Sequence, residues 1–254
     1  VDHPATSALS ATSGTFSTDL TVSGNTGIGE TSPLGKLHIK SGDSGASSVN
    51  ANANELVIEN SDYTGMTILG ENESNICFGD NEDPDVGRIE YHHSDNSMRF
   101  MTNTNNAMHI DSTGAITKPL QPAFHIIPDQ MTNIGNTVTI TFGTEIFDIG
   151  GNFASNTFTA PVTGKYQICV QIGLTTIDSA ASFIGLDVHT SNRHYYVLYD
   201  PDFGQDNIYW ELAFSGLVDM DADDTIVLKF LQSGGTTQTE IEDAHSNFSG
   251  YLVA

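Results

Sequence analysis

Basic residues are scarce in this sequence, and their scarcity excludes whole classes of function. Lys and Arg together number 8 against 32 Asp and Glu, which gives a formal net charge of −24 over 254 residues. Nucleic-acid binding needs clustered Lys and Arg to displace the counterions of the phosphates, and anionic membrane surfaces also attract basic segments. No apolar run approaches the roughly 18 residues that a membrane-spanning helix needs. The sequence therefore argues against nucleic acid as a partner and against membrane insertion.

Cysteine, tryptophan and helix-forming residues are also few. The chain has 2 Cys and 1 Trp, and charged residues make up 16% of it, against roughly 25% in an ordinary globular domain. Cys77 and Cys169 make no disulfide framework, and we expect both to be free, buried thiols. Ser, Thr, Asn and 24 Gly make up the difference. Such a composition favours strands and turns over surface helices, so we expect an all-β protein.

The first half of the chain consists of short strand-like stretches separated by polar turns. In residues 1–40, brief alternations such as Leu37–Ile39 predict short strands, which bury little unless several copies share one core. A low-complexity stretch at 41–54 is followed by further predicted strands. These strands are expected at 55–59, 65–69, 74–78, 87–91, 98–102 and 107–110. Pro119 and Pro122 mark a boundary near residue 120.

From Ala123 onward the predicted strands become longer and more aromatic. Between Tyr166 and Ile172 the bulky residues alternate with Gln167 and Gln171, as in a strand with one buried face. Further strands are expected at 138–142, 183–188, 194–199, 208–218, 225–232 and 248–253. About ten strands with almost no helix signal indicate a β-sandwich or jelly roll. We therefore expect a fibrous β segment (1–40), a small β-strand shaft domain (41–119) and a jelly-roll head (120–254).

The third region resembles the globular head of complement component q and its tumour-necrosis-factor-like relatives. The residues that carry the resemblance are Phe142, Asp148, Phe153, Phe158, Gly164 and Tyr166, with the closing segment from Phe248 to Ala254 and the turn from Met220 to Ile226. The gap between Phe153 and Phe158 is shorter than in the family pattern, and Ile168 and Val170 replace its final aromatics. The resemblance implies a ten-strand jelly roll that trimerises through an aromatic-rich axis. It assigns the following aromatics to the core or the trimer axis: Phe142, Phe153, Phe158, Tyr166, Phe248 and Tyr251.

The N-terminal part resembles repeats of bacteriophage tail or head fibres, particularly marine ones. The stretches that carry this resemblance are Leu20–Ile39, Gly87–Met98 and Met108–Gly114. The pattern also occurs in large bacterial surface proteins, so it indicates a fibre more firmly than a virus. The resemblance implies a β-rich, intertwined trimeric shaft.

Two acidic loops are the candidate ligand sites. Asp200, Asp202 and Asp206 lie between strands that carry Tyr196 and Tyr199, and aromatic faces beside hydrogen-bonding side chains suit carbohydrate recognition. The alternative is that these aromatics fill the core and the trimer axis.

The second acidic loop holds Asp219, Asp221 and Asp223, spaced like the start of a calcium loop. Asp224 and Phe230 stand where an EF-hand needs Gly and Glu, so the loop is not an EF-hand. One interpretation is a solvated hairpin turn. The other is a calcium ion where three copies converge, because close carboxylates repel one another. No cofactor other than calcium is indicated.

No constellation of catalytic residues is present in the sequence. It contains no nucleophile elbow and no HExxH motif, and scattered histidines such as His38, His92, His93, His109 and His125 include no His-x-His pair. We therefore expect a protein that is not an enzyme. These histidines are interpreted as surface or packed residues; the alternative is a metal site on a threefold axis.

These observations together predict a homotrimeric virion fibre or spike with a distal adhesive head. Its expected partners are further copies of itself, other virion proteins at the N-terminal end, and a host surface glycan or protein. The expected location is the virion or the extracellular space. The alternatives are a secreted bacterial or archaeal surface adhesin or filament subunit, and a polysaccharide-degrading fibre.

Overall fold

The computed structural model describes residues 22–254, and within them every regular element is a β-strand. The part of the expected fibrous segment that falls on residues 1–21 lies outside the described residues. Contacts divide the described residues into two compact units, one up to Leu69 and the other from Gly70 onward. The boundary expected near residue 120 falls inside the second unit.

The first unit contains a small parallel sheet of three strands. Its strands are β1 (Thr26–Ile28), β2 (Leu37–Lys40) and β3 (Leu56–Glu59), in the order β1-β2-β3. The register pairs Thr26 with Leu37 and Leu37 with Leu56, so successive passes of the chain lie side by side. The strands predicted at 37–39 and 55–59 are thus confirmed. The strand predicted at 65–69 is wrong, because this segment joins none of the sheets of the described residues.

The second unit begins with an antiparallel meander of five strands. These are β4 (Glu73–Phe78), β5 (Gly87–His92), β6 (Ser97–Thr102), β7 (Asn105–Ile110) and β8 (Ile116–Thr117), paired in chain order. Asn103 and Thr104 join β6 to β7 with φ of 48° and 59°, the backbone of a tight hairpin turn. The four strands predicted in this region are confirmed.

Two six-stranded antiparallel sheets make up the rest of the unit. One follows the order β12-β9-β20-β15-β18 with β10 beside β20, and the other β13-β14-β19-β16-β17 with β11 beside β19. Their strands are β9 (Ala123–Pro128), β10 (Met131–Ile134), β11 (Thr137–Thr139), β12 (Phe142–Ile149), β13 (Phe153–Ala154), β14 (Thr157–Thr159), β15 (Gly164–Ile177), β16 (Ala181–Thr190), β17 (His194–Tyr199), β18 (Asn207–Met220), β19 (Thr225–Gly234) and β20 (Thr239–Leu252). This arrangement is the jelly-roll sandwich that the sequence predicts.

The strand predicted at 138–142 is wrong in one respect. Val138 belongs to β11 in one sheet, whereas Phe142 begins β12 in the other. Ile140 lies between them, fully buried, where the chain crosses from one sheet to the other. A continuous apolar alternation therefore spans two strands because the chain changes sheets without leaving the core.

The core lies between the two sheets and is built from their inward-facing residues. Along β15 the residues Tyr166, Ile168, Val170 and Ile172 are buried, as the alternation predicts. Aromatic rings fill one end of the core, with Phe248 on β20 against Phe124 at 4.9 Å between ring centroids. Of the six aromatics assigned to core or trimer axis, Phe158, Tyr166 and Phe248 are fully buried, Phe142 and Phe153 pack against them, and Tyr251 is 51% exposed.

The two cysteines are free, as predicted, but the expectation that both are buried is wrong. Cys77 is exposed on β4, an edge strand of the meander, and Cys169 is half-buried on β15. An edge strand lacks a neighbour on one side, so its side chains are less well covered.

Candidate functional site

The loop between β17 and β18 presents a cluster of three aromatic side chains at one end of the sandwich. Tyr199 closes β17, and its ring stacks on Trp210 of β18 with 4.3 Å between centroids and 24° between planes. Phe203 covers this pair from the loop, 5.5 Å from Tyr199 and 5.8 Å from Trp210. Phe203 is 46% exposed. We call Tyr199, Phe203 and Trp210 the aromatic loop cluster.

Burial raises the pKa of Tyr199, and the neighbouring Asp200 carboxylate raises it further. The phenol therefore stays protonated at neutral pH and can donate a hydrogen bond. Asp200 and Asp202 are both exposed, and the Asp200 carboxylate accepts a hydrogen bond from the Asp202 N–H at 3.2 Å. The loop thus offers aromatic faces and carboxylates to the same volume of solvent.

Asp206, the third acid of this loop, is engaged within the fold. Its carboxylate accepts hydrogen bonds from the Ser179 N–H and hydroxyl, each at 3.0 Å, and from the Gln238 amide at 2.9 Å. Ser179 lies between β15 and β16, and Gln238 between β19 and β20. These bonds lower the pKa of Asp206, with the Ser179 N–H as the largest cause. Asp206 therefore holds three loops at one end of the sandwich together.

Tyr196 does not join the aromatic loop cluster, although the sequence places it near Tyr199. Successive residues of a strand point to opposite faces, so Tyr199 packs against the core while Tyr196 points outward and is 55% exposed. Its ring stacks on His194, with 5.4 Å between centroids and 9° between planes. The five residues assigned to the ligand site thus occupy two different surfaces.

The calcium candidates lie at the end of β18, which contains Asp219, and on the connection to β19, which contains Asp221 and Asp223. Asp219 forms a 2.8 Å ion pair with Arg193, while Asp221 and Asp223 are exposed. Asp224 organises the turn by accepting hydrogen bonds from the Ser191 hydroxyl at 2.7 Å and the Asp221 N–H at 2.7 Å, which lower its pKa. Within residues 22–254, none of the three candidates belongs to a group of three ligand atoms close enough to share an ion. Calcium binding by three converging copies stays a prediction.

Two other groups of side chains do bring ligand atoms within 4.8 Å of one another. In the first, the Lys40 ammonium lies 2.9 Å from Glu30 and 3.5 Å from Glu59, and His38 Nε2 lies 2.9 Å from Glu59 Oε2. The hydrogen bond to Glu30 is the largest cause that raises the pKa of Lys40. Because Lys40 forms ion pairs with both carboxylates and His38 is fully buried, this group is an internal ion-pair network.

The second group consists of Asp187, His189 and His194, and the sequence analysis did not find it. The signal that could have found it is the spacing Asp-x-His-x4-His across a predicted hairpin. Strand alternation places the first two on one face of β16, and the turn returns the third opposite them on β17. His92 and His93, considered earlier, contact Asp95 at 3.2 Å and Ser74 at 3.1 Å instead.

The two packed antiparallel sheets define a jelly-roll domain. A family model described as the C1q domain matches residues 123–253. The chain belongs to the C1q domain family. Domains of the C1q and TNF-like type are typically non-enzymatic binding domains that form homotrimers, and C1q domain proteins are typically extracellular.

Solved structures with similar folds include the globular domain of zebrafish complement 1qA, with 14% identity and a TM-score of 0.41. That match covers 53% of this chain and 98% of the zebrafish domain. Murine APRIL at pH 8.0 is also similar, with 10% identity, a TM-score of 0.40, and coverage of 52% and 99%. No curated protein matches the sequence. Across residues 22–254 there is no helix long and apolar enough to cross a membrane.

Proposed function

We propose that this chain is a non-enzymatic homotrimeric fibre or spike protein of a virion. Residues 1–40 and 41–119 form its shaft, and residues 120–254 form a distal head that adheres to a glycan or protein on a host surface. The N-terminal end attaches to other virion proteins. Three copies of a weak site on one head act together through a high effective concentration.

The observation that supports the assembly is the exposure of large apolar side chains between residues 56 and 69. Tyr63 is 88% exposed and Leu69 is 91% exposed. Leu56 and Met66 are 48% and 56% exposed. Exposed apolar side chains that form a patch mark interaction surfaces in soluble proteins. Further copies of the same chain would cover them, as expected for chains that share one core.

Sedimentation tests the assembly directly. We expect a trimer at micromolar concentration, and replacement of Tyr63 and Leu69 by Ser to shift the population toward monomer. The control is the matched replacement of Leu198 and Ile208, two exposed apolar residues of the head, by Ser. Comparison of the two double variants shows whether the shaft or the head drives assembly. A monomeric wild-type chain would overturn the proposal.

The aromatic loop cluster carries the adhesive part of the proposal. A flat apolar face beside carboxylate acceptors matches the two surfaces of a sugar, which are its C–H face and its hydroxyl groups. Asp200 and Asp202 are exposed and free to accept hydroxyl hydrogen bonds, whereas Asp206 positions the loop. The proposed ligand is thus a neutral or amino sugar of a surface glycan, since the chain's net charge of −24 repels anionic polymers.

A glycan array with matched variants tests this site. Phe203→Ala removes the exposed ring of the cluster, and Phe147→Ala on β12 removes a ring of similar exposure, 44% against 46%, from a different part of the sandwich. We expect Phe203→Ala to weaken binding by about tenfold or more, consistent with loss of a stacking aromatic, and Phe147→Ala to leave it unchanged. Equal losses in the two variants, or no glycan bound by the wild type, would refute the site.

The main alternative to a virion protein is a secreted bacterial or archaeal surface adhesin, and the two differ in where the chain is found. Mass spectrometry of purified virus particles and of cell envelopes from the same culture separates the two. We expect the chain in the particle fraction. Recovery only from envelopes would favour the adhesin.

A further inference from the structure

The outer face of the sheet that contains β16 and β17 carries two imidazoles and a carboxylate in direct contact. His189 on β16 and His194 on β17 are register partners, and Asp187 lies two residues before His189 on the same face. The centroids of the two imidazole rings are 4.0 Å apart, and the ring planes meet at 66°. The Nδ1 atom of His194 lies 3.0 Å from Asp187 Oδ2, and that of His189 lies 3.4 Å from the same oxygen.

These separations fit the coordination sphere of a small divalent ion. Zn²⁺ binds imidazole nitrogen and carboxylate oxygen at about 2.0–2.2 Å, so tetrahedral ligand atoms lie roughly 3.4 Å apart. The observed distances of 3.0 and 3.4 Å require no backbone movement to reach that value. A short two-stranded hairpin holds all three ligands, which fixes their mutual geometry.

The burial of the carboxylate is the second observation. Asp187 is 3% exposed although it lies on the outer face of its sheet, because the side chains around it cover it. A buried carboxylate is costly unless a positive charge compensates it. The two histidines, by contrast, are 30% and 43% exposed, so the side of the group away from Asp187 is open to solvent.

The protons of the two histidines are compatible with metal binding. The Lys229 ammonium lies 3.0 Å from His189 Nδ1 and has only protons to donate, so this nitrogen carries the lone pair that a metal needs. His194 Nδ1 lies within hydrogen-bond distance of the Asp187 carboxylate, and in the tautomer that binds an ion through Nδ1 the ring proton is on Nε2. Lys229, the register partner of Asp187, competes with the ion for His189 Nδ1 and must withdraw when the ion binds.

We propose that Asp187, His189 and His194 bind one divalent transition-metal ion of the Zn²⁺ class, with the remaining coordination position open to solvent. Two nitrogen ligands favour zinc, cobalt or nickel over calcium or magnesium, which prefer oxygen. The ion joins β16 to β17, the last strand of its sheet, and therefore stabilises that edge. This site is independent of the aromatic loop cluster and of the proposed calcium loop.

Calorimetric titration of the EDTA-treated full chain with Zn²⁺ tests the proposal, with Co²⁺ absorption as a readout of nitrogen coordination. We expect one ion per chain. His194→Gln and His189→Gln should each weaken binding beyond the roughly 10–100-fold that loss of an outer-shell partner costs. His245→Gln, which removes an exposed histidine of β20, is the matched control and should bind as the wild type does.

Lys229→Met is expected to gain affinity for Zn²⁺, and a misfolded variant would lose affinity instead. Removal of the competing ammonium should tighten Zn²⁺ binding while the other ligands stay in place. The proposal is overturned if the wild-type chain binds less than one ion, if His245→Gln loses as much affinity as His194→Gln, or if Lys229→Met binds more weakly than the wild type.

Discussion

Phe248 and Tyr251 provide the sharpest test of how β20 sits in the sandwich. Both are aromatic residues of one strand, and both belong to the closing segment that resembles the last strand of the C1q family. The strand alternation nevertheless turns them to opposite faces. Phe248 is fully buried, with its ring 4.9 Å from Phe124, 5.7 Å from Phe142 and 6.0 Å from Phe153. Tyr251 is 51% exposed.

Phe248→Ala should be strongly destabilising. Truncation of a buried Phe costs about 3–5 kcal/mol, from the lost transfer free energy and the cavity left among rings that cannot collapse onto it. At about 4 °C per kcal/mol for a domain of this size, the melting temperature should fall by roughly 10–20 °C. Tyr251→Ala removes a half-exposed ring and should cost about 1 kcal/mol or less in the isolated domain.

Thermal unfolding followed by circular dichroism at several protein concentrations measures both effects. If the outer face of β20 contributes to the proposed trimer, Tyr251→Ala should lower the melting temperature most at low concentration, since stability is then linked to assembly. Phe248→Ala should lower it at every concentration. An equal effect of the two substitutions would refute the register of β20 and the separation of core from surface aromatics.

Three further predictions follow from individual contacts. Hydrogen bonds lower the pKa of Asp178 and Asp206 below 3.8, so the stability they contribute is complete above this value and is lost as pH falls below it. Unfolding in denaturant at pH 7 and pH 3 should show a smaller difference for Asp206→Asn than for the wild type, and equal differences would contradict the role of this carboxylate. Gly250→Ala should cost about 1–3 kcal/mol in the same assay, because the added Cβ would lie 2.7 Å from an Ile168 methyl carbon; a neutral result would show that the core yields. Maleimide should label the exposed Cys77 faster than Cys169, which mass spectrometry resolves by peptide, and the reverse order would contradict the orientation of β4.

The sequence predicted the strands of the head well where one face of a strand is buried along its whole length. The stretch around Tyr166 and the strand 194–199 are examples, since burial on alternate residues leaves a period of two in the sequence. It failed at 138–142, where the alternation continues through a change of sheet, and at 65–69, where an apolar alternation joins none of the sheets seen in residues 22–254. The local alternation in the sequence indicates which residues are buried, but not which strand pairs with the strand that carries them.

The candidate site was predicted only in part for the same reason. The sequence located the acidic loop and its aromatic neighbours, but it grouped Tyr196 with Tyr199, which lie on opposite faces of β17. It treated Asp206 as a ligand residue, whereas Ser179 and Gln238, distant in sequence, engage its carboxylate.

Composition and periodicity by themselves determined the all-β class and predicted a β-sandwich or jelly roll from Ala123 onward. These properties depend on how many residues of each kind are present and on their local spacing. Only the tertiary structure decided which aromatics fill the core, which carboxylates remain available, and that Asp187 meets two imidazoles. Those properties depend on strand pairing, which brings distant residues within hydrogen-bond distance and turns neighbours to opposite faces.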